Sequence, residues 1–259
     1  MKLLYNIYLI PALLVGVVLT IITALITIVG CALGGQRFWG YYPGKIWSQC
    51  VCALFLLPIK VEGRERLSPH TSYVFTPNHQ GAFDIFLIYG YLGHNFKWLM
   101  KESLRRIPFV GRACQSAGHV FIDRVNPKKI SQSMHEAEAK LTGGMSLVVF
   151  PEGSRSAGGR IGRFKKGAFI VADELQLPVV PVTISGSYEV MPKGSRWFHR
   201  HSLTLTLHDP IAPIGRGADN VRQVMSQSYE AVLSTLPARY RSKANDAGQE
   251  TDASAHDAD

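Results

Sequence analysis

The sequence has no charged side chain between Leu3 and Gln36, a run of 34 residues. The hydrocarbon core of a bilayer needs only about 20 apolar residues in a helix, so this run predicts a membrane-embedded helical segment. A cleaved signal peptide is one alternative, and a lipoprotein signal is another, because Ile28 to Cys31 loosely resembles a lipobox. Both alternatives expect a shorter apolar core, of about 7 to 15 residues, behind a more basic start.

Basic residues are scarce before the apolar run and frequent after it. Only Lys2 precedes it, whereas several cations follow it. Among these cations lies a second apolar stretch, from Ile46 to Ile59, which predicts an interfacial or re-entrant helix. By the positive-inside rule, this asymmetry predicts that the bulk of the chain faces the cytoplasm. We therefore expect residues 1–60 to form a membrane anchor of one or two helices, in a membrane such as the bacterial inner membrane. The cations that follow the run are Arg37, Lys45, Lys60, Arg64 and Arg66.

Several common motifs are missing. The four cysteines include no C-x-x-C pair and no matching histidine spacing, so neither a zinc site nor a disulfide framework is indicated. The sequence contains no G-x-x-x-x-G-K-[ST] loop and no G-x-S-x-G elbow, which argues against a Walker-type nucleotide site and a serine acyl-enzyme. We expect no cofactor and no metal.

Acidic residues are few outside the C-terminal end. The net charge is +9, and it is +13 for residues 1–242, because the last seventeen residues contain one lysine and five carboxylates. We expect residues 241–259 to form a disordered acidic tail. A basic surface attracts nucleic acid, anionic lipid head groups or phosphorylated substrates through the same Coulomb force. The neighbouring apolar run favours membrane phospholipids as partners and argues against nucleic acid.

Residues 61–240 alternate short β-rich runs with helical stretches, a pattern that predicts one α/β domain with a mixed, largely parallel sheet flanked by helices. The predicted strands are Ser72–Thr76, Phe96–Met100, His119–Asp123, Ser146–Phe150, Val179–Ser185 and Leu203–Leu207. The predicted helices are Ala82–Leu92, Pro127–Leu141, Phe164–Leu175 and Asn220–Leu233. Polar residues follow several of these strands, and in open α/β sheets ligands bind at the carboxyl ends of strands, so one site built from several loops is expected.

The first candidate site is Asn78-His79-Gln80-Gly81-Ala82-Phe83-Asp84, before an apolar helix. With His79 in the turn and Asp84 in the first helical turn, the carboxylate can face the imidazole and fix its tautomer. A neutral imidazole is a good general base near neutral pH. Taken alone, the spacing also fits a loop histidine beside an ordinary first-turn acid.

The second candidate site begins at Phe150-Pro151-Glu152-Gly153-Ser154-Arg155-Ser156 and continues into a glycine-rich basic loop. Glycines let the backbone approach a ligand closely, and guanidinium groups bind phosphate oxygens in pairs. This pattern predicts a phosphate site, although a solvated charge run would look similar. The loop contains Gly158, Gly159, Arg160, Gly162, Arg163, Lys165, Lys166 and Gly167.

These two segments, with Gly118–Arg124 and Val180-Pro181-Val182, resemble the four ordered blocks of the glycerolipid acyltransferase family. The resemblance covers about Tyr73 to Ile211, and the apolar N-terminal segment resembles that family's membrane-embedded helical motif. It implies that His79 is the general base and Asp84 its orienting partner. It also implies that the acceptor's glycerol phosphate is bound by Lys101, Arg124, Glu152, Gly153 and Arg155.

The resemblance implies transfer of a fatty acyl group from acyl-CoA or acyl-carrier protein to the sn-2 hydroxyl of lysophosphatidic acid, without an acyl-enzyme. Ser154 replaces the family's usual threonine and keeps the hydroxyl, whereas His119 lies where the family varies with its acceptor. The alternatives are another acceptor, such as a lyso-ornithine lipid or other lysophospholipid, a thioesterase-like hydrolase, or a non-catalytic membrane lipid-binding protein. Glu152 and Asp123 could instead be ion-pair partners of adjacent arginines.

Overall fold

A computed structural model describes residues 2–122, 141, 144–156, 158–195 and 197–241 of the chain. The helices are α1 (Lys2–Ala32), α2 (Gln36–Trp39), α3 (Tyr42–Leu54), α4 (Asp84–Tyr91), α5 (Val110–Ser116), α6 (Gly167–Leu175), α7 (Ser187–Val190) and α8 (Ala218–Thr235). The strands are β1 (Ile59–Glu62), β2 (Val74–Pro77), β3 (Phe96–Lys101), β4 (Val120–Ile122), β5 (Ser146–Val148), β6 (Val179–Ser185) and β7 (Leu203–Leu207). Short 3₁₀ turns cover Arg64–Arg66, Glu102–Arg106 and Ala238–Tyr240.

The strands form one seven-stranded sheet in the order β1-β7-β6-β2-β5-β3-β4. Five neighbouring strands, β6, β2, β5, β3 and β4, run parallel, and β7 pairs with β6 in the antiparallel direction. β1 then pairs with β7 in parallel. The predicted mixed, largely parallel α/β sheet is therefore confirmed.

All six predicted strands are present, and their central members are apolar runs buried on both faces, as parallel strands covered by helices require. β1 is a seventh strand that the sequence did not predict: Ile59-Lys60-Val61-Glu62 alternates partly buried and exposed residues at the edge of the sheet and follows directly on the apolar stretch. That stretch is not one helix from Ile46 to Ile59. α3 ends at Leu54, and Leu56 then adopts a left-handed backbone with φ of 53°, which turns the chain toward β1.

Two apolar cores cover the two faces of the sheet. Along β2, Phe75 faces a core shared with α3 and α4, whereas its neighbour Val74 faces a core shared with α6 and α8. β5 divides in the same way, with Val148 in the first core and Leu147 in the second. This alternation follows from the two-residue period of a strand. The first core also receives Leu9 of α1, so α1 lies on the α3 and α4 side.

α1 is long and apolar enough, by length and composition, to cross a membrane over Leu4–Ala32, and only 17% of its most apolar window is buried within the protein. It packs on α3 and α5 along one side, where the Tyr5 hydroxyl donates to the Phe55 carbonyl at 3.0 Å. The Trp47 indole N–H likewise donates to the Thr20 hydroxyl at 3.0 Å. The rest of the α1 surface is large, exposed and apolar, which is unlike a core helix of a water-soluble domain.

Several sequence predictions fall on residues that the structure does not describe. The predicted helix Pro127–Leu141 lies outside the described residues except for Leu141, and so do Asp123 and Arg124. The predicted acidic tail, 241–259, also lies outside them beyond Arg241.

Candidate active site

His79 follows β2 at the carboxyl edge of the sheet, and Asp84 is the first residue of α4. The distance from His79 Nδ1 to Asp84 Oδ2 is 2.7 Å. Asp84 is fully buried, and the same oxygen accepts hydrogen bonds from the backbone N–H groups of Gln80, at 2.7 Å, and Gly81, at 2.9 Å. These two donors fix the carboxylate beside the imidazole, so Nδ1 carries the hydrogen that Asp84 accepts.

The other imidazole nitrogen of His79, Nε2, is not used by the contact with Asp84. Among the residues that the structure describes, none makes a hydrogen bond to Nε2, and the side chain is 14% exposed. The ring stacks on Phe150, with centroids 3.9 Å apart and planes at 16°. Phe150 stacks in turn on Trp98 at 5.5 Å and 18°. The imidazole is thus held by Asp84 at Nδ1 and by Phe150 on one face of the ring, and neither contact involves Nε2.

Glu152 lies beneath this pair and is only 7% exposed. Its Oε1 accepts the backbone N–H of His79 at 2.7 Å, and its Oε2 accepts the backbone N–H of Gly162 at 2.8 Å. Burial raises the pKa of Glu152 to about 7, the two N–H donors oppose that rise, and the charge of Asp84 adds to it. Both oxygens therefore bind protein backbone, whereas the family resemblance implied contact with the acceptor phosphate.

Of the other predicted phosphate ligands, Arg155 is half-buried, and among the described residues no carboxylate forms an ion pair with its guanidinium. The backbone N–H of its neighbour Ser156 donates to the His79 carbonyl at 2.9 Å, which places Arg155 beside the loop that contains His79. Gly153 forms a turn with φ of 76°. Lys101 is exposed at the end of β3, on the same edge of the sheet. Arg124 lies outside the described residues.

The sequence assigned no structural role to three residues that hold the site together, although two of them, Asn78 and Phe150, lie in the candidate motifs. The ring of Phe150 and its neighbour Trp98 form the stack behind His79, and nothing in the spacing of the sequence indicates that contact. Asn78 locks the end of β2 to β6, because its amide donates to the Ile184 carbonyl at 2.9 Å and accepts from the Ile184 N–H at 2.7 Å. In the sequence, only the position of Asn78 next to His79 indicated that it belongs to the site.

The glycine-rich basic loop, residues 158–167, is tied to the same site. Besides the bond from Gly162 to Glu152, the Gln80 side chain donates to the Gly159 carbonyl at 2.8 Å. The backbone N–H of Ile161 donates to the Tyr240 carbonyl at 2.9 Å. Within the described ranges, no group of three or more histidine, cysteine, aspartate or glutamate side chains could hold a metal ion.

Fold and site together define a class: an α/β protein with a largely parallel sheet and a hydrogen-bonded His–Asp pair at the carboxyl edge of that sheet. The family model for acyltransferases matches residues 58–185 of the chain. The chloroplastic 1-acyl-sn-glycerol-3-phosphate acyltransferase of Arabidopsis thaliana is 35% identical over 178 residues, which is 68% of this chain and 49% of that protein. The corresponding enzyme of Limnanthes douglasii is 30% identical over 196 residues, covering 75% of this chain and 69% of that protein.

The chain belongs to this acyltransferase family, as its sequence motifs indicated. It spans about half the length of the Arabidopsis relative. The fold is that of the crystal structure of 1-acyl-sn-glycerophosphate acyltransferase from Thermotoga maritima, with a TM-score of 0.75 at 24% identity. That likeness covers 91% of this chain and 97% of the other.

Proposed function

We propose that the protein transfers a fatty acyl group from a thioester, acyl-CoA or acyl-carrier protein, to the sn-2 hydroxyl of lysophosphatidic acid, giving phosphatidic acid. The relatives named above are 1-acyl-sn-glycerol-3-phosphate acyltransferases, which supports both the reaction and the acceptor. The observation that carries the proposal is the 2.7 Å contact between His79 Nδ1 and the buried Asp84, with Nε2 left open. A base of this kind activates an uncharged hydroxyl.

In the proposed reaction, His79 Nε2 removes the proton of the acceptor hydroxyl while the oxygen attacks the thioester carbonyl carbon. The tetrahedral intermediate then collapses, the carbon–sulfur bond breaks, and the departing thiolate takes the proton back from the imidazolium. Asp84 stabilises the imidazolium and keeps Nδ1 protonated throughout. Burial raises the pKa of the Cys114 thiol to about 11, so this cysteine is a poor nucleophile, which fits a direct transfer without an acyl-enzyme.

The acceptor phosphate is proposed to bind Arg155 and Lys101, with Arg124 and the Gly153 turn completing the site. Arg155 has no carboxylate partner among the described residues, so its guanidinium can bind a phosphate in bidentate fashion. Glu152 is proposed to act as a positioning residue, because its two oxygens hold the backbones of His79 and Gly162. The acceptor would thus lie between the phosphate site and Nε2.

α1 is proposed to attach the protein to the membrane that supplies the lysophospholipid, with the α/β domain on the cytoplasmic side. Its exposed apolar surface supports membrane attachment, and the excess of cations after α1 supports the orientation. An acceptor that enters from the bilayer would then reach His79 without leaving the membrane surface.

The test uses the full chain purified in detergent, labelled acyl-CoA and a panel of lyso-lipids, with the products identified by mass. The proposal predicts phosphatidic acid from lysophosphatidic acid as the main product. Preferential acylation of a lyso-ornithine lipid or another lysophospholipid would contradict the proposed acceptor but support the proposed acyl-transfer reaction. Release of free fatty acid without acylation of any lipid would indicate a thioesterase, and no turnover with any acceptor would indicate a lipid-binding protein.

A further inference from the structure

The basic loop, residues 158–167, has four cations that the proposed reaction does not use. Arg160, Arg163, Lys165 and Lys166 are all exposed. In the part of the chain that the structure describes, no carboxylate forms an ion pair with any of the four. Four like charges so close together repel one another, and an anionic ligand that bound them would relieve this repulsion.

The backbone of the basic loop is fixed relative to the catalytic histidine. Gly162 donates to Glu152, and Glu152 accepts the His79 N–H through its other oxygen, so one carboxylate joins loop and histidine. The Lys165 N–H donates to the Pro151 carbonyl at 2.9 Å, and Gly159 accepts from Gln80. The four cations therefore belong to a loop whose backbone is held in a fixed position relative to His79.

The basic loop lies on the face of the sheet away from α1. Its two large apolar residues, Ile161 and Phe164, are buried in the core that α6 and α8 share with the sheet. α1, α3 and α4 pack on the core of the opposite face. If the acceptor enters from the membrane on the α1 side, the basic loop on the opposite face is exposed to water. A soluble phosphorylated ligand fits this position better than a lipid does.

We infer that the basic loop binds the phosphates of the coenzyme A part of the acyl donor. The inference rests on the proposed function, because the thioester carbonyl must lie at His79 while the rest of the donor extends away from it. Coenzyme A is water-soluble and has phosphate groups at a distance from its thiol. Arginine binds phosphate oxygens in pairs, and lysine adds point charges, so Arg163 and Lys166 together suit such a ligand.

The test compares the full-length wild type in detergent with the double variant Arg163→Gln/Lys166→Gln. We expect the variant to raise the KM for acyl-CoA roughly tenfold, as expected for the loss of charge-assisted contacts that are partly exposed. The KM of the variant for lysophosphatidic acid should remain at the wild-type value. With a donor that lacks phosphates, an acyl-N-acetylcysteamine thioester, variant and wild type should be equally active.

The matched control is Arg216→Gln/Arg222→Gln, which removes the same charge near the start of α8, at the opposite edge of the sheet. This control should leave every kinetic constant unchanged. An unchanged KM for acyl-CoA in the loop variant would overturn the inference. So would an equal loss with the phosphate-free thioester, a rise confined to lysophosphatidic acid, or a loss seen only with acyl-carrier protein, whose acidic surface would then be the ligand.

Binding of free coenzyme A, measured by calorimetry on a His79→Ala background, separates this inference from the proposed function. We expect the loop substitutions to weaken that binding roughly tenfold, with no need for turnover. If the wild type transfers no acyl group but binds coenzyme A through the loop, the proposed function fails and the donor site stands. Equal affinity in both proteins would overturn the donor site alone.

Discussion

Three residues from two segments of the chain hold His79 in place. Asp84 accepts from Nδ1, Phe150 covers one face of the ring, and Glu152 accepts the backbone N–H. None of the three contacts uses Nε2, which must stay open to act as a base. In the proposed reaction, a ring fixed in this way would need little rearrangement when the acceptor hydroxyl arrives, and such preorganisation would lower the barrier to reaction.

Replacing Asp84 with asparagine should reduce turnover by at least roughly a hundredfold, because an amide cannot stabilise the imidazolium and can favour the wrong tautomer. Since His79 and Asp84 act as one unit, the double variant His79→Ala/Asp84→Asn should be hardly slower than His79→Ala alone. Single-turnover rates of the three purified variants measure this. Losses that multiply in the double variant would show that the two residues act independently.

Glu152 gives the protein a pH dependence of stability that its sequence does not indicate. Its pKa is about 7 in the folded protein and near 4.5 in an unfolded chain. The folded state therefore retains a proton that the unfolded state releases, and the stabilising contribution of Glu152 is complete below about pH 4.5 and is lost as the pH rises through about 7. The loss amounts to roughly 3 kcal/mol in the free energy of unfolding.

Thermal unfolding of wild type and Glu152→Gln in detergent, at about pH 5 and about pH 8, measures this contribution. Glutamine has one acceptor oxygen, so the variant leaves either the His79 or the Gly162 N–H without a partner at both pH values. The effect of the Glu152 proton is therefore measured by how the stability difference between the two proteins changes with pH. The wild type should lose more stability than the variant between the two pH values, and an equal loss would contradict the raised pKa.

Arg155→Ala should raise the KM for lysophosphatidic acid far more than the KM for acyl-CoA, because the acceptor loses a bidentate phosphate contact. Arg155→Lys should restore only part of the affinity, since an ammonium group cannot reproduce the guanidinium fork. Initial rates with each substrate varied in turn provide the measurement. Equal effects on both substrates would assign Arg155 a structural role instead.

At the scale of single elements, α1 is the proposed attachment of the α/β domain to a membrane. Large apolar side chains are exposed along it, and Leu14 and Val18, which are 67% and 54% exposed, lie one turn apart on the outer side. A charged side chain at the bilayer centre costs about 2.5 to 3.5 kcal/mol. Because both positions face away from α3 and α5, lysines there should weaken membrane insertion without disturbing the packing of α1 on the domain.

Leu14→Lys/Val18→Lys should therefore move much of the protein into the soluble fraction after carbonate washing, whereas the wild type should stay in the membrane fraction. The control is Ile214→Lys, at a 64% exposed apolar position between β7 and α8, which should leave the distribution unchanged. Retention of the double variant at the wild-type level would show that α1 is not the membrane attachment.

At the scale of the whole molecule, the repeated strand and helix pattern was sufficient to predict an α/β domain with a largely parallel sheet. The apolar core runs, such as Val179–Ser185, have one dominant explanation, which is a buried parallel strand. β1 escaped prediction because it is an edge strand whose pairing with β7 depends on residues far away in the chain. Long-range pairing of this kind leaves little trace in local sequence.

The candidate site was partly predictable for a similar reason. His79 and Asp84 are close in sequence, so their contact follows from a turn and a helix start. The stack of His79 on Phe150 and the contact of Glu152 with the His79 backbone join segments more than seventy residues apart, since the latter pair is separated by 73 positions. A buried carboxylate that accepts two backbone N–H groups looks the same in sequence as one that faces a ligand, so the position of Glu152 required the three-dimensional fold.

The measurement that tests the central claim most directly is acyl transfer from labelled acyl-CoA to lysophosphatidic acid by purified His79→Ala. General-base catalysis contributes about 10² to 10⁴ in rate, so turnover should fall by at least roughly a hundredfold while both substrates still bind. His70→Ala, which alters an exposed histidine in the loop before β2, should retain wild-type turnover. A folded His79→Ala protein with near-normal transfer would contradict the assignment of His79 as the catalytic base.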